Sequence, residues 1–181
     1  MIHNETIDNI LTRRTIREYT PEQITDEQLE TLLECAMWAP SGRNGQPCHV
    51  RVVQSKEMLD EMNVDFKNLV GWDTPAYTGW DIRPVYHNAP VFIFIVAPTK
   101  EGMSGGLMAE NIALAAHGVG LGSCMIGSLG ALFDDPENAH KWKKIIDIPE
   151  DWEFVLGMTL GYPNEKPPFK DREDGHIKFI G

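Results

Sequence analysis

The chain has 181 residues, enough for one domain with a buried core and too few for two. Hydrophobic residues make up 42% and charged residues 24%, the balance of a folded protein rather than a disordered one. A formal charge of −11 and a pI near 4.9 exclude nucleic acid and anionic membrane as partners, since both demand a basic face; any anion held here must be met by cations gathered locally.

The polar N-terminus lacks the apolar core of a signal peptide. Ile7, Ile10 and Leu11 have helical spacing and predict a short first helix ending near Arg13. Thr25 followed by Gln28 forms a capping box for a second helix, with Leu29, Leu32, Leu33, Ala36 and Met37 inward and Pro40 as its stop. A strand over 49–54 follows. Ser55 then caps a third helix carrying Met58, Leu59, Met62 and Phe66. Residues 71–88 are irregular and aromatic, with Trp72, Tyr77, Trp80 and Tyr86. The run 89–98 is about half a membrane span, and its centre, 91–96, is apolar at every position, as in a central strand covered on both faces. A buried helix over 106–119, a short strand over 123–126, a helix over 139–146 and a strand over 154–160 complete the order. No repeat or composition break divides the chain, so residues 1–181 form one domain of the α+β or α/β sandwich class around a mixed sheet. Residues 163–181 are a Pro- and charge-rich tail that turns apolar at Ile177, Phe179 and Ile180. Such a tail either frays or lies on another surface.

Four segments could carry chemistry. Arg13, Arg14 and Arg17 place three cations around Thr15 in an acidic chain, a composition suited to phosphate oxygens. The same cations also suit a helix C-terminus, and composition alone leaves both readings open. Pro40, Ser41, Gly42, Asn44 and Gln46 lie in a breaker-rich link whose amides match the edge of a heterocycle with carbonyls and ring nitrogens; a solvated turn is the alternative. The glycines at 118, 120 and 122 follow a helix and precede a strand, the reverse of the order a dinucleotide fingerprint needs, so a Rossmann site is excluded. Beyond them, Ile126, Gly127 and Ser128 offer a backbone that can approach a flat ring. Lys170 and Arg172 in the tail are further phosphate-neutralising cations or solvated residues.

Hydrolytic and metal chemistries lack their signatures. There is no HExxH or P-loop, and the histidines show no ligand spacing. Cys48 and His49 are neighbours on a strand and point to opposite faces, so they form no nucleophile–base pair. His117, in an apolar helix, reads as a satisfied core residue. Cys35, Cys48 and Cys124 are odd in number and widely spaced, which argues against disulfides and structural zinc and for a reducing cytoplasm.

Taken in order, Arg13-Arg14-Thr15-Ile16-Arg17 with Tyr19 and Pro21, the segment 39–47, the segment 120–127 and Gly161-Tyr162-Pro163 resemble the nitroreductase family of FMN-dependent oxidoreductases. The likeness runs from Ile7 to about Arg172. It implies a three-layer sandwich with a mainly antiparallel sheet, and an intertwined homodimer with FMN at the subunit interface and the tail packed on the partner. On this resemblance Arg13, Arg14 and Thr15 are phosphate-side residues, and Arg17 faces the pyrimidine end of the flavin and tunes it. Pro40, Ser41 and Gly42 fall on the partner's contribution to the ring, and Asn44 and Gln46 on ligands of its polar groups. Ile126, Gly127 and Ser128 fall near the reactive N5 edge, and Lys170 and Arg172 on a second phosphate clamp. The implied activity passes electrons from NADH or NADPH through flavin to a nitroaromatic, quinone, enone or free flavin, with no catalytic side chain and no metal. A non-catalytic flavin carrier or redox sensor would use the same residues. Cys48 departs from the aromatic residue common after the Gln-Pro pair.

Overall fold

In a computed structural model, which describes residues 1–72 and 84–181, the longest apolar run becomes a strand without one exposed residue. The elements run α1 (Glu5–Thr12), α2 (Asp26–Met37), β1 (His49–Val53), α3 (Lys56–Val70), β2 (Val91–Ala97), α4 (Gly102–Gly118), β3 (Gly122–Ile126), α5 (Gly130–Asp134), α6 (Pro136–Ile145) and β4 (Glu153–Gly161). Strands pair in the order β1-β2-β4-β3, each pair antiparallel. The mixed character expected of the sheet is confined to one parallel bridge, Thr15 to Ser123.

Alternation along β2 divides the core. Val91, Ile93, Ile95 and Ala97 join Leu32 and Ala36 of α2 and Met108, Ile112 and Ala116 of α4. Phe92, Phe94 and Val96 join Leu59, Met62 and Phe66 of α3 with Leu132 and Trp142 of α5 and α6. A sheet buried on both faces therefore stands between two helical layers. Each fully buried large apolar side chain contributes about 1.5–3 kcal/mol, so β2 and its neighbours dominate stability. Gly157 of β4 lies beneath Phe92, whose ring would stand 2.6 Å from an added Cβ.

Local signals set the helix starts. The Thr25 hydroxyl accepts from the N–H of Gln28, and the Gln28 side chain returns to the Thr25 N–H, completing the capping box. Ser55 accepts from Met58 N–H, and Asn4 caps α1 through Ile7 N–H. Asp135 caps α6 with Pro136 in its first turn, which starts that helix three residues before the sequence expectation. Helix α5 was not anticipated; its five residues carry only Leu132 into the core. Met37, expected inward, is 55% exposed: in the last turn of α2 the buried residue is Ala36, and Met37 stands off that face. Ile10 and Leu11 of α1 are also exposed. Tyr77 and Trp80 lie outside the described residues. Among the described residues no helix is long and apolar enough to cross a membrane.

The extended segment after α1 is seated by a glycine. An added Cβ at Gly122 would lie 2.7 Å from the Cβ of Ile16, a branched carbon that no rotamer change removes. Gly122→Ala is therefore expected to destabilise the fold by about 1–3 kcal/mol through overpacking. Denaturant unfolding should show a lower midpoint with an unchanged slope.

Candidate functional site

Helix α1 ends because Arg13 leaves the helical region, at φ −53° and ψ 134°, while its N–H still bonds Asn9 carbonyl. The chain then runs extended, and three backbone hydrogen bonds hold it. Ile16 N–H donates to Ser123 carbonyl at 3.0 Å, Thr20 N–H to Tyr162 carbonyl at 2.9 Å and Asn164 N–H to Glu18 carbonyl at 2.8 Å. The Tyr19 hydroxyl, buried beneath, donates to Ile16 carbonyl at 2.5 Å and shares a 2.7 Å bond with Thr159. Burial drives the Tyr19 pKa far above the usual phenol value, so it serves as a neutral strut. The Glu165 carboxylate accepts from the backbone N–H groups of Arg17 and, at 3.2 Å, Glu18. The start of the tail is thereby latched to the cation segment.

Between this segment, the end of α4 and the tail lies a cleft of about 520 Å³. Arg13, Arg14, His117, Glu165, Lys166 and Phe169 line it. Arg13 Nε is buried and makes no hydrogen bond among the described residues. Its nearest ion-pair partner, Glu110, stands at 3.7 Å, too far to satisfy that donor. Arg14 behaves differently: Nη1 donates to Leu11 carbonyl at 2.8 Å and Arg13 carbonyl at 2.7 Å, and its guanidinium lies 5.0 Å from the Phe169 ring centre. Arg14 caps the α1 C-terminus, as the helix-terminus reading expects, while Arg13 lines the cleft with its Nε unbonded among the described residues.

The other expected residues fall around this cleft unevenly. Thr15 makes the bridge to Ser123, which lines the cleft, but Thr15 itself does not line it. Arg17 also lies outside the lining. Burial raises the Cys124 thiol, and Arg17 counteracts it, which places this charge toward β3. From Ser123 the strand leads to Gly127, roughly 13 Å away at 3.3 Å per residue. Ile126 is buried, so it could present only backbone; an added Cβ at Gly127 would meet only Leu156, at 3.9 Å. Ser128 carbonyl is engaged by Ala131 N–H. Lys170 and Arg172 are exposed and outside the cleft, with Arg172 donating to Lys170 carbonyl at 2.9 Å; Lys166 is the tail cation at the cleft.

The link after α2 lies elsewhere. Ser41 hydroxyl accepts from Gln46 N–H at 2.9 Å across a 3₁₀ turn, Gly42–Asn44. Arg43, Asn44 and Gln46 all have left-handed φ, at 55°, 55° and 46°. Such strain costs on the order of 1–3 kcal/mol per residue and gathers at ligand clamps. Pro40, Ser41 and Gln46 pack near Ser104 and Met108 of α4, whereas the cleft abuts Ala113 and His117. Ser104 and His117 are roughly 20 Å apart along the helix at 1.5 Å per residue. One chain therefore does not bring the link to the cleft.

His117, Glu165, Lys166 and Phe169 were missed as cleft residues. His117 was hidden by the small apolar pattern of α4; only its place in the last turn, beside the end of α1, could have signalled it. Its ring bonds Thr12 Oγ1 at 2.9 Å, and burial followed by the charges of Arg13 and Arg14 lowers its pKa.

A sheet covered by helices on both faces, with Arg13, Arg14 and Lys166 lining a cleft beside the start of edge strand β3, sets the class of fold. The nitroreductase family model matches residues 10–162. The chain belongs to this family. It is 28% identical over 179 residues to an NADPH-flavin oxidoreductase of Vibrio harveyi, covering 96% of this chain and 72% of that one. A nitroreductase with bound FMN from Desulfitobacterium hafniense superposes with a TM-score of 0.89 at 29% identity, over 99% of this chain and 100% of the other. One from Bacteroides fragilis, also with bound FMN, gives 0.89 at 28%, over the same shares.

Glu165→Ala removes a charged acceptor from two backbone donors, an effect of about 1.5–3 kcal/mol. Limited proteolysis should then cut the tail after residue 165 faster than in the parent chain, and thermal unfolding should begin earlier.

Proposed function

We propose that this chain is an FMN-dependent oxidoreductase whose flavin site is completed by a second copy of itself. The observation that carries this reading is the buried, unbonded Arg13 Nε in a cleft shared with Arg14 and Lys166. In a chain of net charge −11, three cations at one cleft, one of them with an orphaned donor, are a costly arrangement without an anion to meet them. A phosphomonoester supplies up to two negative charges and several acceptor oxygens, which fits this donor set.

Arg13 and Arg14 hold the phosphate from one side, with Thr15 fixing their segment to β3. Gly127 and Ser128, farther along the same edge, present backbone to the ring, and Arg17 sets the electrostatics between them. Ser41, Gly42, Asn44 and Gln46 come from the partner, since their own link stands at the far end of α4. The tail cations Lys170 and Arg172 join when the tail docks on the partner, where Ile177, Phe179 and Ile180, each more than 80% exposed in the single chain, find cover. Trp38 and Met103, each 77% exposed, extend the apolar surface available to that contact. FMN held there supplies the hydride chemistry between NADH or NADPH and a small oxidised acceptor such as a nitroaromatic, quinone, enone or free flavin. The protein's part is to bind, orient and polarise; no side-chain base is needed.

Acid release of the cofactor followed by mass measurement tests the proposal. FMN, bleached in the holoprotein by anaerobic NADH or NADPH, is the expected result. FAD, no flavin after reconstitution, or flavin that neither nucleotide reduces overturns it. Arg13→Ala should weaken FMN by the 1.5–3 kcal/mol of a charged hydrogen bond, roughly ten- to a hundredfold. Arg17→Gln should instead retain oxidised FMN and lower the flavin midpoint potential, because a cation there favours the anionic reduced ring. Fluorescence titration and spectroelectrochemistry separate the two.

A further inference from the structure

Among the described residues His117 is the one imidazole lining the cleft, and its hydrogen bonding defines which nitrogen is available. The Thr12 hydroxyl donates its single proton to Asp8 carbonyl at 2.6 Å. Toward His117 Nε2, at 2.9 Å, that oxygen can only accept. Nε2 therefore carries the ring proton of the neutral form, and Nδ1 is the lone-pair nitrogen, with no hydrogen-bond partner among the described residues.

We propose that His117 is a further ligand of the phosphate, donating from Nδ1 after taking up a proton from solvent as the anion arrives. This rests on the flavin reading above. The charges around the ring make the coupling. Arg13 and Arg14 face it from the segment after α1, and Lys166 and Glu165 from the tail. Asp8 and Glu5 line the adjoining groove on the α1 side, and Glu110, on His117's own helix, stands by Arg13. Of the acids, Glu165 is engaged by two backbone N–H groups and Glu110 by Arg13. Without an anion, burial first and then the two arginines oppose a positive charge on the ring, and both lower its pKa. A phosphate chelated by those arginines cancels their field and offers an acceptor to Nδ1–H. Protonation, unfavourable before binding, then becomes favourable. Linkage requires FMN affinity to rise as pH falls through the window between the free and bound pKa values of the ring, with no further gain below it.

NMR titration of the imidazole in full-length protein, with and without FMN, tests this directly. The expected result is a His117 pKa that rises on FMN binding to above its ordinary value of about 6.5. Calorimetric binding of FMN in buffers of different ionisation enthalpy gives the second readout. The phosphate's own second ionisation, near pH 6, contributes protons to both proteins, so the comparison with His117→Gln isolates the ring. Wild type should take up more protons than the variant between about pH 6 and 7.5. A His117 pKa unchanged or lowered by FMN, or equal proton counts in the two proteins, overturns the role of His117 while leaving FMN binding intact. Failure of wild type to bind FMN at all overturns the flavin reading and this inference together.

Discussion

Strand β2 buries seven consecutive residues on both faces, and that demand organises the molecule around it. Its odd-numbered side chains require α2 and α4 on one side; its even-numbered aromatic residues require α3, α5 and α6 on the other. With both faces covered, the sheet meets the cleft at its edge, beside the start of β3. At the edge formed by β3, Ile16 closes over Gly122, and the Tyr19–Thr159 pair ties the cation segment to β4 beneath. The position of Arg13 and Arg14 is thus a consequence of sheet packing, transmitted through an extended segment rather than through a helix face.

Electrostatics acts on a smaller scale within that frame. The chain carries 27 acidic against 16 basic residues, so a cationic cleft survives only where nearby carboxylates are otherwise engaged. Glu165, inside the cleft, is taken up by backbone N–H groups, which leaves the guanidinium of Arg13 available. Glu110 at 3.7 Å offsets charge without satisfying the buried donor. Unlike Arg13, Arg14 divides the bonds of one nitrogen between two carbonyls and stacks near Phe169, so it also closes the end of α1.

Much of this was legible in sequence because its causes are local. The unbroken apolar run of β2, the Thr25–Gln28 capping box and the Ser55 cap each act within a few residues, and each is present as read. Family likeness drawn from ordered short segments also held, since the backbone conformations behind those segments are themselves local. What escaped depended on contacts distant in sequence. His117 reaches Thr12 across 105 positions and Glu165 reaches Arg17 across 148, so neither has a neighbouring signal. Periodicity offers both Ala36 and Met37 as inward, and it cannot show that only Ala36 reaches the core. The short α5 has too few residues to display a period at all.

The central claim is that each flavin site takes its phosphate cations from one chain and its Ser41–Gln46 link from another. Complementation in mixed dimers tests it most directly. Arg13→Ala and Asn44→Ala chains, carrying different tags, would be co-expressed, and the heterodimer purified and titrated with FMN. If the site is shared, one site of the heterodimer carries both substitutions and the other carries none, so tight FMN binding returns at one of its two sites. If both elements serve the same site within one chain, every site carries one substitution. The heterodimer then binds no more tightly than either parent variant, and the account of a site built across two copies is contradicted.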